Sequence, residues 1–331
     1  MITLQKQKGK DFLVLNFTDI HIKSRFWHSD NVRKIIPLHI IDTLVKDIKP
    51  DLITVTGDIS KSFEYDAYNG VAEVLDSYGI PWAVVWGNHD SEGGYEFIDE
   101  IEKSYFSRRN FIYESGDHSL GRGNYVIGIE EEGRPVEALI MMDSHSKIDI
   151  TDENGETQNV NAKLTPEQVK WYEAQIAALK EMGYQESSLL LHIPIHAYYE
   201  AFRSALIKGL NKYEIRYEES FSPVFWNKGY EGSFGLVHDK ISACRIDDGM
   251  FDVILKEGHT KNILCGHDHK TNVSIPHKGV RFTYSLRSGN SSYDTKQKVG
   301  GTLIRIDADG VSKVEHIPVK ISHLEDLYKK K

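Results

Sequence analysis

The chain has 331 residues, and 40 Lys and Arg against 49 Asp and Glu leave a formal charge of −9 at pH 7. Hydrophobic residues at 40% and charged ones at 27% describe a folded globular protein long enough to bury a sizeable core. The acidic balance argues against a broad nucleic-acid footprint, and two cysteines, Cys244 and Cys265, cannot build a disulfide framework or a Cys-rich zinc site.

The polar segment Met1 to Asp11 lacks the apolar run of a signal peptide. Apolar runs such as Leu189–Ile193 stop far short of the roughly 18–20 residues that span a bilayer. The expectation is a cytoplasmic protein with no membrane segment. Phe12–Phe17 then reads as a buried strand. Over 31–48, Val32, Ile35, Ile36, Ile40, Leu44 and Ile48 recur at helical spacing, with Pro37 as a point of kink or restart. Leu52–Thr56 is a second strand, 64–78 a helix closed by Gly79, and Pro81–Trp86 a third strand. Strand and helix alternating with short connections imply right-handed βαβ units and a parallel sheet.

Asn124–Glu130 and Val136–Met142 read as strands joined by a turn at 130–134. A polar insertion over about 144–165 carries Asn154-Gly155, a hairpin signal. Thr165-Pro166-Glu167 opens a helix through Met182, with Thr as cap and Pro at the first helical position. Ser187–Leu191 is another buried strand. Residues 197–235 are rich in Tyr, Phe and Trp; core packing is the first reading. The alternative is a lid presenting Tyr198, Tyr199, Phe225 or Trp226 to a substrate's organic group. After Asn262–Cys265 come short strands and turns over 272–319. With no linker or repeat, residues 1–331 are expected to form one domain.

Histidines and acids concentrate just after five of these strands: Thr18-Asp19-Ile20-His21, Gly57-Asp58, Gly87-Asn88-His89-Asp90, His192 to His196, and Gly266-His267-Asp268-His269. Ligands of open α/β sheets bind outside the carboxyl ends of the strands, so these loops should converge. Residues two apart on an extended segment point the same way, which pairs Asp19 with His21 and His267 with His269. A glycine before a ligand position lets the chain leave its strand sharply, where a side chain would obstruct the site. Imidazole and carboxylate donors suit Zn, Mn, Fe or related ions. Asp19, His21, Asp58, Asn88, His192, His267 and His269 make seven donors, more than one tetrahedral ion takes. Two metals sharing a bridging carboxylate fit that number.

The ordered set Asp-x-His, Gly-Asp, Gly-Asn-His-Asp, a later His after an apolar strand, and Gly-His-x-His resembles the calcineurin-like metallophosphoesterases, which include the purple acid phosphatases. The resemblance implies a four-layer α/β/β/α sandwich with two mixed β-sheets. It places Asp19, His21 and His269 on one metal and Asn88, His192 and His267 on the other, with Asp58 bridging. His89 would protonate the leaving oxygen or stabilise the transition state, and Asp90 would orient its ring. The purple branch carries a Tyr ligand three residues after the bridging Asp. Lys61 stands there, so two divalent transition-metal ions are expected in place of a tyrosinate-bound ferric centre.

Two divalent ions with Asp19 and Asp58 carry about +2, complementary to a phosphomonoester of roughly −1.5 to −2. The implied reaction is phosphoester hydrolysis by a metal-bridging hydroxide, on a phosphorylated small molecule or phosphoprotein. A monoesterase is the first choice. A phosphodiesterase for a cyclic nucleotide or other small diester is the alternative, and a non-catalytic metal-binding scaffold a third reading. His196 lies four residues after His192, but Pro194 forbids a regular helix; it reads as a rim or substrate contact, or else as structural. Arg287 is a candidate phosphate contact, with a surface salt bridge as the plain alternative. His145 reads as a surface turn.

Overall fold

The computed structural model describes residues 1–151, 154–205, 232–237, 240–289, 298–322 and 324. The chain opens with strands β1 (Ile2–Lys6) and β2 (Phe12–Phe17), a short helix α1 (Ser24–Trp27) and a long α2 (Val32–Ile48). Then follow β3 (Leu52–Thr56), α3 (Tyr65–Ser77), β4 (Trp82–Val85) and α4 (Tyr95–Tyr105). The middle carries β5 (Tyr125–Glu131), β6 (Arg134–Met141), β7 (Lys147–Thr151), β8 (Thr157–Asn161), α5 (Pro166–Met182), β9 (Glu186–Leu190) and α6 (Tyr198–Ala205). Next come α7 (Met250–Glu257), β10 (Thr260–Cys265), β11 (Ser274–His277), β12 (Val280–Tyr284), β13 (Val299–Ile306) and β14 (Ser312–Val319).

Two mixed sheets result. One has seven strands in the order β1-β5-β6-β9-β10-β12-β11; the other has five in the order β14-β13-β2-β3-β4. The pairs β2–β3 and β3–β4 are parallel, as the βαβ reading requires. Side chains alternate between the faces of a strand. Leu139 and Met141 of β6, Leu190 of β9 and Leu264 of β10 therefore enter the core shared with Val14, Leu15 and Val55 of the five-stranded sheet. Their neighbours Ala138, Ile140, Leu189, Ile263 and Cys265 enter a second core with Tyr172 and Ile176 of α5, Tyr198 and Phe202 of α6 and Met250 of α7. Helix α2 covers β13 and β14 from the other side. The layers run helix, sheet, sheet, helix. Burial on both faces explains why the central strands read as unbroken apolar runs.

Local signals place several boundaries. The Asn31 side chain accepts from the Arg33 backbone N–H at the start of α2. Thr165 and Gln168 close a reciprocal capping box at the start of α5. Gly79 follows α3 at φ +69° and bonds back to the Asp76 carbonyl. The polar insertion folds as the antiparallel hairpin β7–β8.

Two features, at Pro37 and at the N-terminus, differ from expectation, and the aromatic stretch follows its first reading, core packing, as far as it is described. Helix α2 runs through Pro37 without restarting, with that ring buried beside Ile36 and Ile40; tertiary packing outweighs one lost backbone bond. The polar N-terminus supplies β1, a parallel edge strand on β5, whose Ile2 and Leu4 pack on the inter-sheet core while Lys6 pairs with Glu131. Helix α6 puts Tyr198, Tyr199 and Phe202 into the core. The rest of the proposed lid, including Phe225 and Trp226, lies outside the described residues. Among the described residues, no helix is long and apolar enough to cross a membrane.

Glu137 sits buried on β6 and accepts a hydrogen bond from the Ser188 hydroxyl at 2.6 Å. Burial raises its carboxyl from an ordinary 4.5 to about 8. A raised acid gives stability present at low pH and lost as pH rises through the 4.5–8 window. Glu137→Gln should flatten the fall in unfolding free energy across that window, by up to ~1.4 kcal/mol per pH unit, as read from denaturant unfolding at a series of pH values. Parallel pH profiles for the two proteins would show Glu137 to be ionised in the fold.

Candidate metal centre

The five histidine- and acid-bearing loops leave the carboxyl ends of β2, β3 and β4 in one sheet and of β9 and β10 in the other. Backbone bonds extend the pairing past the strands: Asp19 N–H donates to Gly57, His21 N–H to Asp58, and Gly266 N–H to His192, each at 3.1 Å. Glycines permit the approach. A Cβ at Gly57 would lie 2.5 Å from His192 Nδ1, one at Gly87 2.2 Å from Asp58 Oδ1, and one at Gly266 2.0 Å from Thr18 Oγ1. Each distance is below any real contact.

The donor atoms fall into two groups that meet at Asp58. In the first, His21 Nε2 and His269 Nε2 are 2.9 Å apart, and His269 Nε2 is 3.1 Å from Asp19 Oδ1. In the second, Asn88 Oδ1 lies 3.1 Å from His192 Nε2 and 2.8 Å from His267 Nδ1. Asp58 Oδ2 lies 3.4 Å from His21 Nε2 and 3.3 Å from His192 Nε2, between the groups. Asp19, His21, Asp58 and His269 offer ligand atoms all within 4.8 Å of one another.

The backbone is strained where these donors sit. Among the described residues, nine non-glycines have positive φ, and Asp19, His21, Asp58 and His267 are four of them, at 52°, 51°, 55° and 75°. Such conformations cost about 1–3 kcal/mol each and persist where the surroundings impose them. The charge states suit a cation. Burial raises the Asp19 and Asp58 carboxyls, but His269 and His21 around Asp19, and His192 beside Asp58, outweigh it and hold both below the usual range. Burial, then the His192 charge, pushes His267 down to about 3, which leaves its ring neutral. Burial would lower His192 too, yet Asp58 raises it to about 10. Carboxylates neutralised by imidazolium protons form a site where a divalent ion displaces those protons. Oxygen and nitrogen donors with no thiolate fit Mn, Fe or Zn.

His89 and Asp90 part company. The His89 ring is half-buried, its centroid 5.4 Å from that of His21, and its Nδ1 pairs with Glu92. Asp90, expected to orient that ring, is turned inward. Its Oδ2 accepts the Gly87 and Asp58 N–H groups at 2.7 Å each, and its Oδ1 the Tyr68 hydroxyl at 2.5 Å and the Ser60 N–H at 3.4 Å. Burial and the Asp58 charge raise it to about 6. Buried loop amides need acceptors, and Asp90 supplies them. The carboxylate that meets His89 Nδ1 is Glu92, three positions on in the same loop.

His196 is bound at Nδ1 to the Cys244 carbonyl at 3.0 Å and at its backbone to Asp248. It is not among the described residues lining the cavity above the donors, which is lined instead by His89, Glu92, Ser146, Lys147, Asn161, Lys240 and Lys270. Arg287 is 3% exposed, so a surface salt bridge does not describe it, and its charge acts on His269. His145 bonds the Tyr95 hydroxyl at 2.7 Å and Gln168 at 2.8 Å, part of a half-buried network and not a solvated turn.

Residues 12–271 match the calcineurin-like phosphoesterase family, and the chain belongs to it. An Arabidopsis thaliana protein named probable inactive purple acid phosphatase 28 is 27% identical over 271 residues, 76% of this chain and 61% of its own length. A probable cyclic nucleotide phosphodiesterase of Psychrobacter arcticus is 29% identical over 174 residues, 50% of this chain and 54% of its own. The chain thus spans under two thirds of the length of these relatives. A dimetal phosphatase from Danio rerio shares the fold, with a TM-score of 0.52 at 10% identity over 92% of this chain and 98% of that one.

An amide at position 90 cannot accept all of these donors without presenting its own N–H₂ to one of them. Asp90→Asn should cost about 1–3 kcal/mol of stability and lower the bound metal measured by elemental analysis. Full occupancy at wild-type stability would show the loops to be held otherwise.

Proposed function

We propose that this chain hydrolyses phosphoesters, phosphomonoesters first, with two divalent transition-metal ions. Asp19, His21 and His269 hold one ion, Asn88, His192 and His267 the other, and Asp58 both. The observation that carries this reading is the single Asp58 oxygen lying within 3.4 Å of imidazole nitrogens from both groups. When bound, such ions lower the pKa of a coordinated water and neutralise phosphoryl oxygens.

The side chains supply the rest. Glu92 accepts from His89 Nδ1–H, which fixes the tautomer and leaves Nε2 as the position where a proton is held or released. That ring lines the cavity and so stands where a leaving oxygen needs a proton. Asp90 and Tyr68 keep Asp58 and Asn88 in place through the loop amides. The likeness to the Psychrobacter protein favours a diester as the second reading. The Arabidopsis relative bears "inactive" in its name. Against a scaffold role here, all seven donor positions and His89 are filled. The free, buried thiols of Cys244 and Cys265 support a reducing, cytoplasmic location.

Turnover of p-nitrophenyl phosphate and bis-p-nitrophenyl phosphate with added manganese tests the proposal. The monoester should be the better substrate. Turnover of neither, with no metal retained through purification, would leave a scaffold. Asp58→Ala should abolish activity and metal occupancy together. His89→Ala should lower turnover at least about 100-fold with both ions retained, and Glu92→Gln should lower it less; loss of metal from His89→Ala would remove its assigned role.

A further inference from the structure

Two cavities share one wall. The first, about 420 Å³, lies over Asp58, Asn88, His89, His267 and His269. The second, about 350 Å³, adjoins it through Lys147, Asn161, Lys240 and Ser242, which line both, and adds Gln158 and Arg245. The step between them is short: Asn161 lines both cavities and contacts His267 Nε2 at 2.9 Å.

The charge of the second cavity runs against that of the chain. Its described lining holds three cations, Lys147, Lys240 and Arg245, and no carboxylate, in a protein of net charge −9. The first cavity adds Lys270, while its carboxylates outside the donor set are already engaged: Glu92 with His89 and Lys61, Asp268 with the Tyr284 hydroxyl and the Ser242 N–H. Burial, then nearby Lys240, lowers the Lys147 ammonium from its ordinary value. The nearby Glu92 carboxylate offsets part of that lowering. Amide and hydroxyl groups of Gln158, Asn161 and Ser242 lie beside these cations as hydrogen-bonding partners for oxygens, and Val160, Tyr199, Ile241 and Ala243 supply the apolar part of the described wall.

We propose that the substrate is a small phosphoester whose organic part bears a second anionic group, a further phosphate or a carboxylate. The ester to be cleaved lies over the metal donors, and the second anion lies in the adjoining cavity against Lys147, Lys240 and Arg245. This rests on the phosphoesterase reading and adds the class of substrate to it. Planar multidentate donation by Arg245 favours phosphate, while the lysines accept either anion as point charges.

The test compares short alkyl phosphates with their ω-carboxylate and ω-phosphate counterparts on the manganese-loaded full chain. The wild-type protein should show at least about tenfold higher kcat/KM for a doubly anionic substrate, chiefly through KM, with the advantage shrinking as salt rises. The better of the two counterparts identifies the second group. Arg245→Gln and Lys240→Gln should each cut that selectivity ratio several-fold. As a readout without turnover, an alkane bisphosphonate should bind the wild-type protein more tightly than the monophosphonate, and lose that margin in both variants. Equal kcat/KM for singly and doubly charged substrates would overturn the inference and leave the phosphoesterase reading standing. An unchanged ratio in both variants would overturn the assigned wall. No turnover of any phosphoester would overturn both readings together.

Discussion

One carboxylate oxygen holds this architecture to its purpose. Asp58 Oδ2 lies between imidazoles carried by different sheets: His21 follows β2 of the five-stranded sheet, and His192 follows β9 of the seven-stranded one. That contact exists only if the sheets face each other with their carboxyl ends aligned, so the site reports the packing of the whole inter-sheet core. The other Asp58 oxygen accepts the His89 N–H at 2.9 Å, which draws the loop after β4 into the same arrangement. Remove the carboxylate and three loops lose their common partner, with imidazolium charge left buried.

Holding donors this way is costly, and the surroundings show how it is sustained. Four of the donor residues adopt left-handed backbone conformations, and close glycines let neighbouring loops pass within contact distance. The strands feeding these loops are rigid. Every residue of β3 and β4 is buried, and so are five of the six in β2. Each large apolar side chain taken from water contributes about 1.5–3 kcal/mol, so the strain is small beside the burial that imposes it. Beneath the donors, Asp90 fills the backbone acceptor role that a regular element would otherwise provide. The loops are irregular in shape without being loose in their bonding.

Much of this could be read from residue order. Apolar runs ending in Gly-Asp or Gly-Asn-His-Asp announce a strand, an abrupt exit and a donor, because each step has a local cause. Pro37 misled because its effect depends on tertiary burial, which spacing does not show. The strand at Ile2–Lys6 went unread because an edge strand needs one apolar face, and only Ile2 and Leu4 mark it. Asp90 was expected beside the His89 ring, where Glu92 stands instead, for a similar reason. Both are carboxylates in one loop, and only the direction of the backbone amides decides which turns inward. Asn161 was beyond reach of local reading, since it meets His267 across 106 residues of chain. The pairing of the two sheets likewise came from family resemblance and not from the strand pattern, which states only that α/β units are present.

The contributions of motif and insertion separate along the same line. Asp58, Asn88, His267 and His269 form the floor of the cavity and are drawn from strand ends, where the backbone is fixed by two cores. Its wall is drawn from elsewhere: Lys147 and Asn161 come from the β7–β8 hairpin, and Lys240 and Ser242 from the segment before α7, which also carries Arg245 of the adjoining cavity. Asn161 contacts both the Ser242 carbonyl, at 2.5 Å, and the His267 ring, so the hairpin, that segment and the donor set meet at one amide. The strands fix the floor, so the choice of substrate falls to parts they do not dictate. Here those parts carry cations on an acidic protein, and charge placed against the global balance is what the proposed second anion of the substrate would meet.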